Sequence, residues 1–202
     1  MVNVFDGCRG KTLANGLAWL NKPPEWGFDE DGLLIVPAAR TDFFRPYQGV
    51  PNDNACLLYT EVTGDFTAVT QTRAHLVGFG DAAAITVRVG ATQWVKLCLE
   101  RSPIGDVSAV SVVTNPTSDD ANNELLDTPE CYLRITRKGD VFGMHYSLDG
   151  QVWRFARTFG MAMPKTVMVG IHAQAPFVGG CQATFSSFDL SSEPVEDFRS
   201  GK

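Results

Sequence analysis

Residues 131–157 read CYLRITRKGDVFGMHYSLDGQVWRFAR, and the period of this stretch decides the fold. Leu133 and Ile135 alternate with Tyr132, Arg134 and Thr136, so one face of the run is apolar and the other polar, which is the two-residue period of a β-strand. Lys138-Gly139-Asp140 interrupts it, a second strand-forming run follows, and Leu148-Asp149-Gly150 turns the chain into a third run anchored by Trp153. That is a three-strand meander. Two or three strands alone are marginal in water until their apolar face meets a second sheet, so the stretch predicts a sandwich completed by similar strands elsewhere.

Working outward, those strands are present. Residues 93–100 alternate most clearly, with Val95, Leu97 and Leu99 on one side and Trp94, Lys96, Cys98 and Glu100 on the other. Residues 84–89 place Ile85, Val87 and Val89 inward and leave Thr86 and Arg88 facing out. Further strands are expected near 33–36, 55–61, 66–75, 106–114, 166–173 and 182–190, about a dozen in all, with almost no helical periodicity and no internal repeat. Residues 46–54 and 115–128 are polar and read as loops, the second also as an edge segment. The arginines of the meander, Arg134 and Arg137, fall on opposite faces together with Lys138, which reads as an ordinary solvated surface. We take residues 1–192 as a single sandwich domain and 193–202 as a C-terminal tail.

With 202 residues, 44% hydrophobic and 20% charged, the chain can bury a substantial core. Its net charge of -6 and the absence of a basic stripe argue against a nucleic-acid partner. No run of about 18 apolar residues is available to cross a membrane. The N-terminus lacks the apolar core of a secretion signal, and the five cysteines (Cys8, Cys56, Cys98, Cys131, Cys181) are odd in number and irregular in spacing. The expectation is a reduced, cytoplasmic protein without disulfides, metal or cofactor. Asp29-Glu30-Asp31-Gly32 concentrates carboxylates, but it lacks the regularly spaced further ligands and the closing glutamate of a calcium loop.

The polar side of the 93–100 strand is the first candidate site. Trp94 could stack on the apolar face of a sugar, with Lys96 and Glu100 beside it, Arg88 on the neighbouring strand, and His172 with Gln174 from the second half of the chain. Glu100, His172 and Lys96 are the candidate catalytic groups, since an imidazole beside a carboxylate can act as a base near neutral pH. All three histidines, His75, His145 and His172, are more simply read as structural. The same holds for Ser147-Leu148-Asp149-Gly150, where side chains bonded to turn amides explain the motif without a ligand.

The ordered set Trp19-Leu20-Asn21 with Pro23-Pro24 and Trp26, TDFFR at 41–45, VTGDF at 62–66, WVKLCLE at 94–100, YSLDGQVW at 146–153 and ATFSSFDL at 183–190 resembles the concanavalin A-like domains of the domain-of-unknown-function 1349 family. Some fungal members of that group are described as regulators of enolase. The resemblance implies an all-β, concanavalin A-like jelly-roll sandwich of two curved antiparallel sheets, whose concave face binds carbohydrate in many relatives. It carries no stacking role to Phe44, which stands where the family motif has Trp. Nor does it imply a reaction, because the paired acidic residues of the superfamily's glycosidases, in an ExDxE or ExDxxE pattern, have no counterpart here.

Three functions follow as expectations. The first is a module binding a carbohydrate or related small metabolite, the second is a protein acting on a metabolic enzyme, and the third is an isomerase, lyase or hydrolase using the concave-face His, Glu and Lys.

Overall fold

A computed structural model describes residues 1–202. The chain forms seventeen strands and no helix: β1 (Val2–Asn3), β2 (Ala18–Leu20), β3 (Glu25–Asp29), β4 (Gly32–Val36), β5 (Phe43–Phe44), β6 (Asn52–Asp53), β7 (Cys56–Thr63), β8 (Phe66–His75) and β9 (Ala82–Gly90) in the first half. The second half adds β10 (Gln93–Arg101), β11 (Val107–Thr114), β12 (Ser118–Leu125), β13 (Glu130–Lys138), β14 (Val141–Ser147), β15 (Arg154–Gly160), β16 (Thr166–Gln174) and β17 (Gln182–Ser191). One sheet runs β15-β14-β13-β8-β17-β4-β3, with β1 added to β17, and the other runs β12-β11-β10-β9-β16-β7-β2. Every pairing is antiparallel. The meander read from residues 131–157 is β13-β14-β15 at one edge. Its first turn needs Gly139, whose φ of 60° lies in the left-handed region.

The apolar halves of the alternating strands meet between the sheets. Val95, Leu97 and Leu99 of β10 and Leu133 and Ile135 of β13 are fully buried in one cluster with Ile85, Val169, Phe185 and Phe188. The five cysteines are free thiols, four of them buried.

The polar halves are where the structure departs from the sequence reading. Arg134 and Arg137 are buried rather than solvated. Arg134 lies over the Trp153 ring, 4.0 Å from its centroid, and donates to the Gly201 carbonyl at 2.8 Å. Arg137 donates to the carbonyls of Gly139, Met163 and Pro164, and so anchors the turn before β16. Each guanidinium is sheltered because sequence-distant backbone supplies its acceptors.

Residues 193–202 therefore do not trail into solvent. They lie against the outer face of β13 and β14, where His145 Nε2 donates to the Phe198 carbonyl at 2.8 Å and Thr67 donates to the Glu193 carbonyl at 2.8 Å. Gly143 permits this docking, since a Cβ there would come within 2.9 Å of the Phe198 ring. Burial, together with the Arg134 charge, lowers the pKa of His145 to about 4, so it stays neutral beneath the segment.

Residues 115–128 are mostly β12, an edge strand of the second sheet. Residues 37–55 fold over that sheet's outward face as a flap that carries the β5-β6 pair.

Gly143→Ala should displace Phe198 and loosen residues 193–202, costing about 1–3 kcal/mol as an overpacked site does. Limited proteolysis should then cut within 193–202 faster than in the wild type while the β circular dichroism signal is kept; unchanged cleavage would refute the docking.

Candidate functional site

The outward face of the β12-β11-β10-β9-β16-β7-β2 sheet is divided by the flap into a sealed half and an open half. The cause is Phe43, which is fully buried. Its ring lies 6.0 Å from Trp94 and 5.4 Å from His172, with the Arg88 guanidinium 4.8 Å from its centroid. The flap is tied down by two cations rising from the sheet. Lys96 Nζ donates to Gln174 Oε1 at 2.7 Å, to the Phe43 carbonyl at 2.9 Å and to Asp42 at 3.3 Å. Arg88 donates to Asp53 at 2.9 Å. Thr41 and Ala175 exchange backbone hydrogen bonds at one margin, and Arg45 and Ser118 bond at the other.

Three residues read from sequence as ligand contacts lie in the sealed half. Trp94 is wholly enclosed, with its Nε1 unpaired, and packs against Phe43 instead of offering a free ring. Arg88 is committed to Asp53, and with Thr86 it is covered rather than facing out. His172 is buried and does not pair with Glu100: Thr86 donates to its Nδ1 at 2.6 Å, and its Nε2 donates to Gln174 at 3.2 Å. Burial and the nearby Lys96 charge drive its pKa to about 3, so it stays neutral and cannot serve as a base near neutral pH as expected. Period-two alternation had placed these side chains on one face correctly; what covers that face is supplied by residues 37–55.

The open half is a cleft of about 360 Å³. Lys96 and Glu100 of β10 and Gln174 of β16 reach it, so three of the six expected contacts are brought together here. The remaining walls were not singled out in advance. Asp42, Phe44 and Asn52 come from the flap, Asp120 and Asn122 from the edge strand β12, and Phe79 and Phe177 from two loops at the mouth. The two phenylalanine rings stack at 5.4 Å and are 46% and 59% exposed. A signal for β12 did exist in SDDANNEL, where Asp120 and Asn122 are two residues apart and must share a face.

Glu100 is the group in the cleft whose chemistry is most altered. Burial raises its pKa to about 7; Lys96 pulls the value down, while Asp42 and Asp120 push it up. A carboxyl poised there can give or take a proton near neutral pH. Lys96 is not a free nucleophile, because burial lowers its pKa but Asp42, Cys98 and Glu100 outweigh this and keep it charged. No cluster of three His, Cys, Asp or Glu side chains is arranged to hold a metal ion, and no helix is present that could cross a membrane.

Residues 19–193 match the family described as protein of unknown function DUF1349. The chain belongs to that family. Regulation of enolase protein 1 of Saccharomyces cerevisiae (strain ATCC 204508 / S288c) is 30% identical over 177 residues, 86% of this chain and 88% of the yeast protein. The crystal structure of a functionally unknown protein from Saccharomyces cerevisiae superposes with a TM-score of 0.83 at 28% identity, covering 88% of this chain and 97% of that one. The carbohydrate-binding module CBM66 from Bacillus subtilis shares the fold at a TM-score of 0.53 and 15% identity, covering 88% of this chain and 96% of the module. The fold is the concanavalin A-like sandwich that the sequence motifs implied.

Two measurements test this description. Trp94→Ala should cost about 3–5 kcal/mol in urea unfolding, as a core truncation does, because the ring is packing and not a platform. Glu100→Gln should alter stability with a defined pH dependence. The folded protein holds the Glu100 proton more tightly than the unfolded chain, so wild-type stability falls as pH rises from the ordinary carboxyl range through about 7. The Gln variant escapes that loss, gaining up to about 3 kcal/mol at pH 8 and almost nothing at pH 4. An equal effect at both pH values would contradict the buried carboxyl.

Proposed function

We propose that the protein is a binding module that takes a carbohydrate or related small metabolite in the cleft between the flap and β12, on the concave face of the sandwich. The observation that carries this reading is the make-up of the cleft. Charged and amide groups (Glu100, Asp42, Asn52, Asp120, Asn122) converge on one cavity over a floor formed by Lys96 and Gln174, with aromatic rings at its mouth. Hydroxyl-rich ligands need such convergent polar groups, together with a ring for their apolar face. Kinship with a fold-mate that is a carbohydrate-binding module supports the ligand class. The name of the yeast relative supports a role in regulating a metabolic enzyme. Five free thiols suit a cytoplasmic setting.

An enzyme reading has one observation in its favour, the Glu100 carboxyl held near neutrality with Asp42 and Asp120 close by. In that reading Glu100 is the acid or base of an isomerase, lyase or hydrolase. His172 and Lys96 would then support the site, since neither has a free valence toward the cleft.

Titration calorimetry against mono- and disaccharides tests the module directly. Asn122→Ala, on an exposed edge strand, should leave the fold intact and weaken a bound sugar about tenfold, the worth of one good hydrogen bond. A sugar that binds the variant as tightly as the wild type binds elsewhere. Turnover of a bound sugar that vanishes in Glu100→Gln, with affinity kept, would favour the enzyme.

A further inference from the structure

The balance of donors and acceptors in the cleft selects the charge of its ligand. Three carboxylates, Asp42, Glu100 and Asp120, line it against the single cation Lys96. That cation is spent, because its three N–H groups go to Gln174, the Phe43 carbonyl and Asp42. Gln174 is nearly spent as well: its Oε1 accepts from Lys96 and His172, and its amide donates to the Gly80 carbonyl at 2.8 Å.

No guanidinium lines the cleft, and three arginines of the two sheets have partners of their own. Arg88 pairs with Asp53, Arg157 with Asp119, and Arg101 donates to the Gly105 carbonyl. Glu100 and Asp120 form no ion pair at all. The ladder neighbours of Glu100 on β9 and β11 are Ala82 and Ser108, so no charge answers it from those strands. Ser108 is itself fully buried with its hydroxyl unpartnered. The unused donors that line the cleft are neutral ones, such as the amides of Asn52 and Asn122, so its unpaired carboxylates leave it with a negative charge that no ion pair cancels.

An anionic group entering it would meet two carboxylates that form no ion pair and a lysine whose donors are all taken, whereas an ammonium would bring three donors and the opposite charge. The rings of Phe44, Phe79 and Phe177 add faces that attract a cation and lie flat against a sugar ring.

We infer that the ligand of this cleft carries an amine, so that an amino sugar or a similar amine-bearing polyol is preferred to its neutral and its phosphorylated counterparts, with the ammonium seated between Glu100 and Asp120. This rests on the cleft being the ligand site proposed above. The raised pKa of Glu100 is consistent with it, since an ammonium beside the carboxyl would supply the counter-charge that burial denies it.

The test is calorimetry at pH 7 with glucosamine, N-acetylglucosamine, glucose, glucose 6-phosphate and butylamine, on the wild type and on the double variant Glu100→Gln/Asp120→Asn. Glucosamine should bind about tenfold more tightly than glucose or N-acetylglucosamine, the difference between a charge-assisted and a neutral hydrogen bond, and in the double variant the ratio of glucosamine to glucose affinity should fall to about one, whatever the change in neutral-sugar affinity. Glucose or N-acetylglucosamine binding as tightly as glucosamine, or glucose 6-phosphate binding best, overturns the amine preference and leaves the carbohydrate module standing. Butylamine binding without any sugar binding upholds the amine preference and overturns the carbohydrate module. No binding by any of the five probes overturns both. A preference for glucosamine that survives in the double variant removes Glu100 and Asp120 from the inference and so overturns it.

Discussion

The ammonium of Lys96, enclosed beneath the flap and held by Gln174, the Phe43 carbonyl and Asp42, is the contact on which the functional face depends. A buried charge with a missing partner costs several kcal/mol, so the ammonium holds its acceptors as firmly as they hold it. Two of those acceptors, the Phe43 carbonyl and Asp42, lie on the flap, and the third, Gln174, lies on β16 two strands away from β10 in the sheet. The same side chain therefore closes the flap, fixes the floor of the cleft and uses up the cleft's one cation.

A sandwich of two sheets has two outer faces, and each is partly covered in this protein. On the β13-β14 side the cover is residues 193–202, received by Arg134, His145 and Gly143. On the other side it is the flap, received by Lys96, Arg88 and the aromatic cluster around Phe43. In each case cations or imidazoles of the sheet donate to backbone carbonyls or carboxylates of a segment with little regular structure, which gives many of the buried polar groups a partner across the contact and leaves Arg88 Nε, Arg134 Nε and His145 Nδ1 without one. What stays open is the part of the second face that the flap does not reach, bounded by the edge strand β12. A bounded cavity suits a small ligand, in contrast to the extended groove that an uncovered sheet face would offer.

Within that cavity the carboxylates differ because their surroundings differ. Asp42 is neutralised by Lys96, Asp120 sits on an exposed edge strand, and Glu100 is desolvated between them with its pKa displaced toward neutrality. The chain that carries this geometry belongs to the DUF1349 family and is similar to Regulation of enolase protein 1.

The sequence determined the strands, the meander, the two-sheet architecture and which residues share a face. Strand alternation is local, and the apolar half of each alternating run has only one place to go: Val95, Leu97, Leu99, Leu133 and Ile135 are all fully buried. The family motifs added the concanavalin A-like topology. Tertiary structure alone decided what the polar halves do. Arg134, Arg88, Trp94 and His172 have the alternation of exposed residues and are buried, because segments far along the chain lie over them: Gly201 is 67 residues from Arg134, and Asp42 is 54 residues from Lys96. A two-residue period reports the face on which a side chain stands. Whether that face meets water depends on long-range contacts that leave no period in the sequence, and so the cleft between Glu100, the flap and β12 became visible only in the folded chain.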